Sequence, residues 1–178
     1  LPLDENDTHQ PKLNLTNVQI YNCANVGILG RDAQITGSNI AINYCGQAAL
    51  AATLGGMYNF THCTFNNNWN SSKQFAVVVG NYLEVDNTAY ISDLTQANFT
   101  NCIIYGSNQN TLKFDKFTPP NSSAPDATFN YQFTNCLIKL NNTTANPLYL
   151  PTNTTNFTNC YYANSSLTFN PKLKKITE

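Results

Sequence analysis

Charge is scarce in this chain. Nine residues in 178 are Lys or Arg and ten are Asp or Glu, a formal net charge of −1. So little charge of either sign removes the electrostatic case for nucleic acid or an anionic membrane. Arg31 is the only arginine, Trp69 the only tryptophan and Met57 the only methionine. No run of about 20 apolar residues exists, so no segment reads as a membrane-spanning helix. No Cys-x-x-Cys pair occurs, and His9 and His62 stand alone, so a zinc signature is missing. A leucine-rich phrase is absent too, which sets aside leucine-rich repeats. The polar surface must come mainly from Asn, Thr and Ser, a composition that suits a β-solenoid outside the cell better than a cytosolic enzyme.

What the chain does have is a phrase that returns. It reads Phe99-Thr100-Asn101-Cys102-Ile103-Ile104, then Phe133-Thr134-Asn135-Cys136-Leu137-Ile138, then Phe157-Thr158-Asn159-Cys160-Tyr161-Tyr162. An earlier copy is Phe60-Thr61-His62-Cys63-Thr64-Phe65, and a degenerate one is Leu15-Thr16-Asn17-Val18-Gln19-Ile20. With Ile35 to Ile42 as a looser copy, the fourth positions are Val18, Ile40, Cys63, Cys102, Cys136 and Cys160. Their steps are 22, 23, 39, 34 and 24 residues. A base period of this size, with two long intervals, marks a repeat architecture.

Apolar and polar residues alternate on both sides of the Asn, with one polar residue inserted there. Period two means strands, and the extra residue means a bend between them. Asn tolerates the left-handed conformation such a bend needs. The expected fold is therefore all-β: a right-handed parallel β-helix of about six coils of 22–24 residues with two long loop insertions. Like residues should stack on like. Cys63, Cys102, Cys136 and Cys160 should form an inner column, and Asn17, Asn101, Asn135 and Asn159 a ladder at the bend, with His62 as one rung. Stacked amides bond from layer to layer. Cys23 and Cys45, 22 apart, share another position. Parallel stacking is poor disulfide geometry, so the expectation is free, buried thiols.

Along the chain, residues 1–12 form an irregular lead-in and 13–170 a single solenoid domain. Insertions are expected at about 66–74, 81–96 and 115–129, and a basic tail at 171–178. Gly27 and Gly30 are expected to make tight turns, and Gly55-Gly56 to end the strand Ala48–Ala52. Phe75–Val79 and Leu112–Phe114 are expected strands, and Leu167–Phe169 a later one. No cofactor is expected. Asp4, Glu5 and Asp7 offer a structural calcium set, although bare acidic runs are mostly solvated. The Asn-x-Ser/Thr triplets at Asn14, Asn59, Asn98 and Asn156 are by-products of the phrase, and would matter only in a eukaryotic secretory route. The abrupt start at Leu1-Pro2-Leu3 and the uncapped ends suggest a segment of something longer, with flanking coils or a partner covering the ends.

The phrases Val18-Gln19-Ile20-Tyr21-Asn22, Gly27-Ile28-Leu29-Gly30, Leu54-Gly55-Gly56 and Asn101-Cys102-Ile103-Ile104-Tyr105-Gly106 resemble the parallel β-helix repeat proteins exported by Gram-negative bacteria, many of them surface lipoproteins. The resemblance covers about residues 13–170. It implies an extracellular or cell-surface, outer-membrane-associated protein. The fold is also similar to that of pectate lyases, polygalacturonases and pectin methylesterases, but fold alone does not license activity.

Two functions compete. The first is a non-catalytic surface solenoid, structural or binding a glycan or a cell-surface protein. Its candidate ligand residues are the loop aromatics Trp69, Tyr82 and Tyr90 with the acids Glu84 and Asp86. Trp69 has a plainer explanation as a loop anchor. The second is a polysaccharide lyase or glycoside hydrolase. A glycosidase needs two carboxylates at a set separation, with Glu84, Asp86, Asp93, Asp115 and Asp126 as the candidates, and the discriminator is whether Glu84, Asp86, Asp93 or Asp115 converge with Lys113, Lys116 or Arg31. No catalytic residue is assigned. Ice binding by the Thr16, Thr61, Thr100, Thr134 and Thr158 column ranks lower, because the column reads as single and adjoins a bend, whereas a flat paired array would be expected.

Overall fold

The computed structural model describes residues 11–69, 71, 73–119, 126–141, 146–149 and 153–163. Asp4, Glu5, Asp7, the expected later strand at Leu167–Phe169 and the tail at 171–178 lie outside those residues. The described chain is all-β, a mostly parallel sheet curled into a half-barrel. Its strands are β1 (Lys12–Cys23), β2 (Val26–Cys45), β3 (Ala48–Thr61), β4 (Thr64–Asn67), β5 (Phe75–Gly80), β6 (Tyr82–Val85) and β7 (Thr88–Ile91). They continue as β8 (Leu94–Thr100), β9 (Ile103–Gly106), β10 (Leu112–Asp115), β11 (Gln132–Thr134), β12 (Leu137–Lys139), β13 (Phe157–Thr158) and β14 (Tyr161–Ala163).

The recurring phrase sets the register. Thr16 pairs with Ser38, Ser38 with Thr61, Thr61 with Thr100, Thr100 with Thr134 and Thr134 with Thr158. This first ladder joins β1, β2, β3, β8, β11 and β13. After the bend a second ladder runs through β1, β2, β4, β9, β12 and β14, with Ile42, Phe65, Ile104, Ile138 and Tyr162 in one column. A third joins the early halves of β2 and β3 to β5 and β10, placing Val26 opposite Ala48 and Leu50 opposite Val77. Ala48–Ala52 is a strand, as its register position implies.

The bend works through backbone conformation. Asn17, Asn39, His62, Asn101, Asn135 and Asn159 all have φ between 52° and 58°. Here the short polar side chain lowers the cost of the left-handed region. The ladder forms: Asn39 Nδ2 donates to Asn17 Oδ1 at 2.7 Å, and Asn135 Nδ2 to Asn101 Oδ1 at 3.1 Å. His62 Nε2 and Asn101 Nδ2 are 3.0 Å apart. Asn39 is a rung that the looser second copy concealed. Further corners occur at Asn22 and Tyr44 (φ 59° and 58°) and at Asp32 and Leu54 (φ 45° and 59°).

Inside the first ladder, Phe60, Phe99, Phe133 and Phe157 stack in file. Ring centroids are 5.5, 4.8 and 5.0 Å apart with interplanar angles of 21°, 2° and 9°. Cys63, Cys102 and Cys136 are buried beside them, and all six cysteines are free thiols. The Cys102 thiol lies 3.3 Å from the Thr100 carbonyl, and the Cys136 thiol 3.3 Å from that of Phe99. Hydrogen bonding with Cys136 and Cys63, then burial, holds Cys102 protonated. Burial likewise pushes Cys45 up to about 12.

The glycines differ from expectation. Gly27 and Gly30 sit inside β2 and make no turn. They are small because neighbours approach closely. A Cβ at Gly27 would lie 2.6 Å from the Ala49 carbonyl, and one at Gly30 2.6 Å from the Tyr58 ring. Gly55 and Gly56 do not end the strand either: β3 runs on to Thr61. They carry positive φ values of 70° and 106° at the third corner, where Gly has no Cβ to clash.

Candidate functional site

The excursions from the ladders carry the candidate residues. The first leaves β4 at Asn67. Trp69 lies here, half-buried, its ring 6.1 Å from that of Tyr44 at 69°. Its carbonyl accepts hydrogen bonds from Ser107 Oγ at 3.2 Å and from Gln74 Nε2. Those contacts make Trp69 an anchor of its loop against the second corner.

The second excursion is an antiparallel hairpin, β6–β7, off the main sheet. Its turn, Asp86-Asn87, has φ of 50° and 61°, the primed geometry that suits the strand twist. Asp86 is therefore a turn residue. Tyr82 opposite Ile91 and Glu84 opposite Ala89 share one hairpin face, while Tyr90 opposite Leu83 lies on the other. Glu84, Asp86 and Tyr90 are exposed. Tyr82 packs against Phe117 of the third excursion, centroids 5.8 Å apart at 60°. The structure thus groups Tyr82 with Glu84, turns Tyr90 away from them, and anchors Trp69 on a different loop. The main sheet resumes at Leu94.

An open cleft of about 450 Å³ lies next to Phe117. Phe114, Lys116, Thr118, Asp126 and Leu148 help line it. It offers an aromatic wall, one cation and one carboxylate. Lys116 was named from the sequence only as a partner for a distant acid. Asp126 is one of the carboxylates the sequence offers to a glycosidase, whereas Phe117 has no repeat position to reveal it.

The acids outside the hairpin go to separate tasks. Asp93 Oδ1 accepts from the Thr128 N–H at 2.7 Å, Asp126 Oδ1 from the Ala127 N–H at 2.8 Å, and Asp115 pairs with Lys113 at 2.9 Å. Among the described residues no three His, Cys, Asp or Glu side chains gather as a metal site. Lys139 Nζ donates to the Gly106 carbonyl at 2.8 Å and sits 5.0 Å from the Tyr105 ring centre. Burial lowers its pKa.

Buried amides hold the excursions in place, and sequence reading passed over them. Asn81 is fully buried; its Oδ1 accepts from the Phe117 N–H at 2.7 Å and its Nδ2 reaches the Ala127 carbonyl at 3.2 Å. Asn67 exchanges bonds with Cys45, its Oδ1 accepting at 2.9 Å and its Nδ2 donating at 2.8 Å, and also donates to Phe75 O. Gln74 ties Trp69 to Ser107. An isolated Asn just after a β-run, as Asn81 follows Gly80, is the one signal that could have marked such a clamp.

No helix among the described residues is long and apolar enough to cross a membrane. Compared with protein-family models, curated proteins and solved structures, the chain matches none.

Proposed function

We propose that this chain is a right-handed parallel β-helix of about six coils, displayed outside the cell, that serves as a non-catalytic scaffold and binds a glycan or a cell-surface protein at its excursions. The observation that carries the reading is the dispersal of its carboxylates. Hydrolases and lyases of polysaccharides need acidic and basic groups held together at a set separation. Here Asp93 holds a backbone N–H, Asp115 holds Lys113, and Glu84 and Asp86 stand exposed on a hairpin. The corner of Tyr82, Phe117, Lys116 and Asp126 offers what a binding site uses: an aromatic wall with a few polar groups beside it.

The test is a panel of soluble acidic and neutral polysaccharides, followed by calorimetry for binding and by reducing-end and unsaturated-product assays for turnover. The expected result is binding without turnover, weakened by Phe117→Ala. Turnover abolished by replacing one carboxylate would establish the enzyme reading instead.

A further inference from the structure

The outer surface of the first ladder carries an array with a two-dimensional repeat. One column consists of Thr16, Ser38, Thr61, Thr100, Thr134 and Thr158, each opposite the next. Two residues earlier in each strand, and so on the same face, stand Asn14, Thr36, Asn59, Asn98 and Gln132 in continuous register. Asn156 follows, its carbonyl accepting from the Phe133 N–H at 2.8 Å. The hydroxyl column has a companion that the mixture of Asn, Thr and Gln concealed in the sequence. Every member of both columns is exposed or half-exposed.

We propose that this face binds an ordered lattice of water, the surface of an ice crystal. The claim goes beyond the scaffold function and does not depend on it. Three properties support it. First, the spacing is regular in both directions: about 4.7–4.9 Å between layers and roughly 6.4–6.8 Å between columns. Water molecules joined tetrahedrally by bonds of about 2.75 Å place second-neighbour oxygens about 4.5 Å apart. The mismatch along a column accumulates to about 1–2 Å over six rungs, less than half a lattice step. Second, the face is stiff. Threonine χ1 is restricted by its branched Cβ, and behind the array the rings of Phe99 and Phe133 stack at 2°. Third, the chemistry is uncharged. The next column on this face, two residues further from the bend, is Lys12, Gln34, Met57 and Gln96, and it has a charge only at its terminal rung.

The same composition distinguishes water from sugar. A crystalline polysaccharide is gripped by aromatic rings lying flat on its pyranose faces, and neither outward column contains an aromatic residue. Hydroxyls, methyls and amides at fixed spacing complement water instead.

The experiment is ice-affinity partitioning of the full chain into slowly grown ice, with thermal hysteresis read in parallel. Wild type should enrich in the ice fraction over a non-binding protein of similar size. Thr100→Tyr, in the middle of the face, should lose that enrichment, and Thr134→Tyr should do the same if Thr100→Tyr folds poorly. Thr64→Tyr makes the same exchange on the second ladder and should leave enrichment unchanged. Wild type excluded from ice would overturn the proposal. So would enrichment that survives in both face variants, or a protein that ignores ice but sediments with crystalline cellulose or chitin.

Discussion

Replacing Asn101 separates the two jobs that its side chain does. Its φ of 54° is left-handed, which costs an ordinary L-residue about 1–2 kcal/mol. Its amide also makes two ladder bonds, to His62 and from Asn135, at 3.0 and 3.1 Å. Exposed as they are, each belongs at the low end for a net hydrogen bond, about 0.5 kcal/mol. Asn101→Ala gives up both and should cost about 2–3 kcal/mol. Asn101→Gly gives up the ladder bonds but accepts the bend freely, so it should cost about 1 kcal/mol. Urea denaturation reads the difference as a shift in midpoint at constant slope. If Ala matches wild type, the bend is not held by its residue. If Gly costs as much as Ala, the ladder rather than the backbone is what matters, and the account of the turn fails.

Phe99 is fully buried between Phe60 and Phe133, so Phe99→Ala should cost about 3–5 kcal/mol, a loss visible in the same denaturation assay. Burial pushes the Tyr131 phenol from 10.0 up to about 12, so stability should be intact below pH 10 and fall between pH 10 and about 12, as the unfolded chain loses protons that the folded chain keeps. Tyrosinate absorbance followed with unfolding checks this, and Tyr131→Phe should make the loss shallower. The half-exposed pair of Lys113 and Asp115 should matter little: Asp115→Asn should change stability by less than about 1 kcal/mol. A thiol reagent should modify Cys23 and Cys160 first and reach the buried Cys63, Cys102 and Cys136 only on unfolding; early labelling of Cys102 would contradict the inner column.

What sequence reading could see divides along a physical line. Where strands stack in parallel, each residue's neighbour is its own counterpart one strand away in the ladder. A repeated phrase then states both the inward column and its partners, which is why the Phe and Cys columns and the bend at Asn101 were legible. Asn39 escaped because its phrase has Gly37 where the others have Phe or Leu; that Gly is small because a Cβ there would lie 2.5 Å from the Phe60 ring. The corner at Asp32 and Leu54 escaped because its bend residues are not alike. In the excursions the rule stops applying. Asn81 is chosen by Phe117 and Ala127, 36 and 46 residues away, and no periodicity relates them. Tyr82 and Phe117 meet for the same reason, which only coordinates reveal. The paired outer columns are an intermediate case. Their positions follow from the repeat, but an outward position needs only a polar side chain that tolerates a strand. Asn, Thr and Gln therefore alternate there without a motif. Across their six rungs the two columns carry no charge, as a face that binds a lattice of water must.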